Sequence, residues 1–101
     1  MDRVSQLKSM LESTPEDTFL LYALAMEYAK TDEIEQTLEA FDNVLKQDAN
    51  HVSAYFQKAQ YQARQDLVEE AIATTNAGIE VAKSVGDDHA LSEMQGFLDM
   101  L

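Results

Sequence analysis

The chain has 101 residues, 46% of them hydrophobic, and nineteen acids against seven lysines and arginines give it a formal charge of −12. That length bounds it to one domain, able to build a core without staples, and the charge repels unselective approach to phosphate backbones and anionic lipid, so neither nucleic acid nor a membrane surface is expected as a partner. Cysteine is absent, which removes disulfides, thiolate metal sites and thiol nucleophiles and fits a reducing, cytoplasmic setting.

No stretch approaches the roughly 20 uninterrupted apolar residues of a membrane span. The start, Met1-Asp2-Arg3-Val4-Ser5, lacks a basic region leading into an apolar one, so the chain is expected to be soluble and unprocessed. Six helices are predicted, near residues 2–12, 15–30, 33–47, 51–65, 67–85 and 88–101, joined by connections short enough to force antiparallel neighbours. In the first, Val4, Leu7 and Leu11 share one face.

The second helix is expected to open at Thr14 and Pro15, followed by Glu16 and Asp17: a capping hydroxyl, a first-turn proline, and acids at the positive end of the dipole. It is the unusual one, because between Phe19 and Ala29 only Glu27 is charged. Its apolar positions divide into two opposed stripes. Leu21, Leu24, Ala25 and Tyr28 form one; Phe19, Tyr22 and Met26, with Lys30 at the end, form the other. Both stripes must face something other than bulk water.

The third helix is expected to start at Asp32, with Glu35 three residues on in a capping-box arrangement. Ile34, Leu38, Phe41 and Leu45 follow helical spacing on one side, and Glu35, Glu39 and Asp42 occupy the other. Asn50 offers a cap for the fourth helix, and Asp66 with Glu69 repeats the capping signal for the fifth. Within the fifth, Gly78 costs about 1 kcal/mol relative to alanine, a cost explained by close approach of the last helix. Gly86 closes the fifth helix, and Asp87-Asp88 opens the sixth. There Leu91, Met94, Phe97, Leu98 and Leu101 make a dry side opposite Ser92, Glu93, Gln95 and Asp99.

Residues 18–50 and 52–84 are two copies of one pattern, offset by 34 positions: Leu21 falls on Tyr55, Ala25 on Ala59, Asp32 on Asp66, Leu38 on Ile72 and Leu45 on Ile79. Val4, Leu7 and Leu11 fall one period before Leu38, Phe41 and Leu45, so residues 2–13 look like the second helix of a truncated earlier unit. A fixed period of this size marks units that bury their apolar faces by stacking. The expected organisation is a single domain over 1–101: a half-repeat helix at 2–13, one repeat at 15–50, a second at 51–85, and a closing helix at 88–101. In such a stack the second stripe of the 15–30 helix lines the inner curve, and Ser53, Phe56, Gln60 and Arg64 continue it one period on. The candidate site is therefore a concave strip of Phe19, Tyr22, Met26, Lys30, Phe56, Gln60 and Arg64. The competing reading makes its aromatics and methionine part of the core, covered by the chain's own segments.

Leu21, Leu24, Ala25 and Tyr28 on the first helix of the unit, with Phe41 on the second, resemble the tetratricopeptide repeat. Pro15 occupies the family's terminal-proline position in the leading unit, and the next unit keeps Tyr55, Ala59 and Ala71. Thr37 stands for the usual alanine and Ala49 for the proline, and the second unit departs at Lys58, Gln62, Thr75, Gly78 and Lys83. The resemblance covers about residues 2–85. It implies an all-α fold of antiparallel helical hairpins stacked as a short right-handed superhelix, and protein or peptide binding in a concave groove. One subset of the family grips a terminal carboxylate with lysine and asparagine side chains. At the matching places this chain has Tyr22, Met26, Gln57, Asp87 and Leu91, so that mode is rejected.

Catalytic chemistry has no visible carrier. His51 and His89 stand alone near helix starts, the pairs Glu35/Glu39 and Glu69/Glu70 lie on wet faces without a calcium loop, and no phosphate loop or nucleophile elbow occurs. A non-catalytic scaffold without metal or cofactor is expected. Its partner is a protein or peptide with apolar anchors, selected by shape and secondarily by Lys30 and Arg64. The alternative is a homodimer joined through the same strip or the 88–101 helix.

Overall fold

The computed structural model describes residues 2–101, and among these there are six helices and no strand. They are α1 (Arg3–Ser13), α2 (Thr18–Tyr28), α3 (Ile34–Gln47), α4 (Val52–Arg64), α5 (Val68–Val85) and α6 (Asp88–Met100). Number, order and type match the periodic reading, and most ends agree to one or two residues.

The largest departure is the start of α2. Pro15 and Glu16 form a turn ahead of the helix, and the cap is Asp17, whose carboxylate accepts the Leu20 N–H at 3.2 Å. Thr14 belongs to the other side of the connection, where its hydroxyl donates to the Met10 carbonyl at the end of α1. The capping boxes also fail. Helices α3 and α5 begin after Glu33 and Leu67, and neither residue makes a side-chain cap bond. Asp66 is not a cap but a left-handed residue, φ 63, in the tight turn after α4. Asn50 yields its place to His51, whose Nδ1 accepts the Ala54 N–H. The last junction is as expected: Gly86 turns left-handed at φ 76, and Asp87 accepts the Ala90 N–H.

The helices group into two compact units that part between Ala49 and Asn50. In the first, α2 packs on both α1 and α3. Leu7, Leu20, Leu21, Ala25, Ala40, Phe41 and Val44 are buried. The departure at Thr37 has a structural reason. Its hydroxyl is fully buried, 2.8 Å from the Glu33 carbonyl and 3.1 Å from the Tyr28 carbonyl, which also accepts the N–H and hydroxyl of Thr31, so it ties α3 to the end of α2. Alanine would leave the Tyr28 carbonyl with one fewer donor.

In the second unit α5 packs on both α4 and α6, and α4 also reaches α6. Ile79, Ala82 and Met94 form its buried centre, with Val52, Phe56, Ala90, Leu91 and Leu98 packed around them. The glycine argument holds here. A Cβ on Gly78 would come within 2.7 Å of Met94 Sδ and 2.8 Å of Tyr55 Cβ, so only the bare backbone admits α6 at this depth.

Candidate interaction site

The two stripes of α2 meet different fates. Leu21 and Ala25 are buried, and Leu24 and Tyr28 are half-buried, so the first stripe faces into the unit. Around the helix from them lie Phe19, Tyr22, Ala23 and Met26. Phe19 is 76% exposed, while Tyr22 and Met26 are half-buried. Burial raises the pKa of the Tyr22 phenol above the ordinary tyrosine value, because the phenolate loses solvation there. Stability carried by the neutral phenol is therefore complete below the ordinary tyrosine range and is lost as the pH rises through the raised value.

Lys30 follows the end of α2, and its ammonium pairs with Glu27 at 2.8 Å. As an exposed partner in that pair it contributes about 0–1 kcal/mol. It does not present an uncompensated positive charge to a ligand.

On the second unit, Phe56 meets Phe97 of α6 edge to face, with centroids 5.6 Å apart and planes at 73°. It also packs on the Ile79, Ala82 and Met94 cluster, so the chain's own closing helix already engages part of this residue. Gln60 is half-buried, and Arg64 is exposed with its guanidinium 5.7 Å from the Tyr61 ring centroid. Like Lys30, Arg64 has an internal contact.

The first unit also has a concavity that periodicity did not reveal. A cleft of about 270 Å³ opens among α1, α2 and α3, floored by Leu21, Leu24, Tyr28 and Ala40. Lys8 stands at its edge, 5.7 Å from the Tyr28 ring centroid, and a side-chain hydrogen bond to Tyr28 raises its pKa above the ordinary lysine value. Three helices build this cleft, so no single helical pattern encodes it. Among the described residues no group of three or more histidine or acid side chains is placed to hold a metal ion, and no helix is long and apolar enough to cross a membrane. His89 Nε2 lies 3.2 Å from Glu93 on the exposed side of α6.

Solved structures share this arrangement. The chain is similar to a tetratricopeptide repeat domain protein from Salinibacter ruber, whose solution structure is 37% identical, with 83% of this chain and 85% of that chain covered and a TM-score of 0.75. A crystal structure of a tetratricopeptide repeat domain protein from the same organism is 35% identical over 81% of this chain and 91% of that one, with a TM-score of 0.70. The solution structure of a protein from Bordetella parapertussis has a TM-score of 0.86, covers 99% of this chain and 87% of its own, and at 22% identity shares the fold alone. No protein-family model matches the sequence, and no curated protein matches it.

Proposed function

Because the chain belongs to the tetratricopeptide repeat family, a fold of protein-interaction scaffolds in general, we propose that it is a non-catalytic adaptor that takes a peptide or helix in a concave apolar groove lined by the Phe19, Tyr22 and Met26 face of α2. The observation that carries this reading is Phe19, a large apolar side chain 76% exposed at one end of a face continued by Tyr22 and Met26. A contiguous apolar face at a protein surface is a common mark of an interaction site, and methionine adapts to varied partner shapes. Phe56, Gln60 and Arg64 stand one period later and carry the equivalent positions on the second unit. Phe56 is the least available of them, since Phe97 already leans on its ring. Lys30 and Arg64 play at most a secondary part, because Glu27 and Tyr61 hold them.

Affinity capture from the native cell tests the reading, comparing wild type with Tyr22→Glu/Met26→Glu at matched helicity. The doubly substituted protein is expected to lose its specific partners, because two anchors at an interface centre commonly contribute more than about 1 kcal/mol each. Equal recovery by both proteins would remove the α2 face from consideration.

A further inference from the structure

The Phe19–Met26 face of α2 is apolar, and acids stand in the chain before the helix and beyond its end. Phe19, Tyr22, Ala23 and Met26 place no charge on that face. Exposed Glu16 and the cap Asp17 stand immediately before the helix, with Glu27 in its last turn and exposed Glu33, which also interacts with the Lys8 charge, beyond. The single base of this stretch, Lys30, is neutralised by Glu27 at 2.8 Å. Over residues 2–49 eleven acids stand against four bases, a formal −7. An anionic partner meets like charge along this stretch. A second copy of the chain brings another −12 with it and would set acid against acid.

The length of the face is also defined. Helix α2 has 11 residues, so it spans about 16 Å at 1.5 Å per residue, the reach of three turns of a facing helix. Phe19, Tyr22 and Met26 follow i, i+3, i+7 spacing, which a facing amphipathic helix matches with the same spacing. We propose that the Phe19–Met26 face of α2 docks a cationic amphipathic helix about three turns long, with apolar side chains at i, i+3 and i+7 in its middle and lysine or arginine at both ends. This rests on α2 being the docking face and adds the chemistry of what docks there. The apolar anchors hold the ligand, and its terminal bases meet Glu16 and Asp17 at one end and Glu33 at the other, fixing register and speeding encounter.

A random peptide display library of about 12 residues, selected in parallel on wild type and on Phe19→Ser, tests both statements. Phe19 is 76% exposed, so serine there leaves the core untouched, and circular dichroism checks that the helices persist. Wild type is expected to enrich peptides with apolar i, i+3, i+7 positions flanked by lysine or arginine. A synthesised winner should bind Phe19→Ser roughly tenfold more weakly. Its affinity should fall as salt is raised from about 50 to about 200 mM, and less steeply on Glu16→Gln/Glu33→Gln. Apolar winners with no basic bias would keep the docking face and overturn the assignment of charge. Basic winners that bind Phe19→Ser as tightly as wild type would overturn the location. No enrichment on folded wild type would overturn both.

Discussion

Asp66 and Gly86 solve the same geometric problem with different chemistry. After α4, the Leu67 N–H bonds to the Gln62 carbonyl and the Asp66 N–H to that of Ala63; after α5, the Asp87 and Gly86 N–H groups reach Ala82 and Lys83 in the same pattern. Both closures need one left-handed residue, and only the second uses glycine. A left-handed L-residue costs roughly 1–2 kcal/mol, somewhat less for aspartate, and glycine gives back part of the gain through its looser unfolded state. Asp66→Gly is therefore expected to stabilise the chain by about 0.5–1 kcal/mol, and Asp66→Ala to destabilise it by about 1 kcal/mol. Thermal unfolding of the pair checks this; shifts of the same sign would show that backbone conformation does not govern the site. Gln62 departs from the family pattern differently: it is 4% exposed, and its amide oxygen accepts no hydrogen bond.

Helix α6 is held by a notch in α5 where a side chain is missing. Gly78→Ala gains helix propensity of about 1 kcal/mol but sets a Cβ against Tyr55 Cβ, which cannot swing aside, and against Met94 Sδ. Overpacking of this kind costs about 1–3 kcal/mol, so after that gain a net loss of up to about 2 kcal/mol is expected, a fall in Tm of up to roughly 8–16 °C for a chain this size. Gly78→Leu should fall further, and unchanged melting of both variants would count against the contact. This packing was legible beforehand, because an interior glycine and a one-sided closing helix point to each other. The six helices were legible for the same reason: a 34-residue period records faces, and faces survive small errors at the ends. The caps were not. An Asp-x-x-Glu spacing looks the same whether its aspartate caps a helix or, like Asp66, turns the chain into one. Phe56 shows the limit for the candidate site, since spacing assigns a side chain to a face without saying that Phe97 already leans on it.

At the scale of the molecule the dominant quantity is the charge of −12. Mutual repulsion opposes both compactness and pairing of identical chains, and added salt screens it. We expect light scattering to report a monomer at low ionic strength even at high protein concentration, and Tm to rise as salt is added. A tight dimer lost on Met26→Glu or Leu98→Glu would instead favour assembly through α2 or α6. The methionines are distributed unequally over the same surface: Met10 and Met100 are 50% and 77% exposed, whereas Met94 is fully enclosed with its sulfur at the Gly78 notch. Peroxide thus attacks the outer thioethers in the native chain, but an oxygen on Met94 has nowhere to go until α6 lifts away. The sulfoxide at that one position accumulates only as often as the closing helix opens, and the protein carries in it a chemical clock of its own detachment.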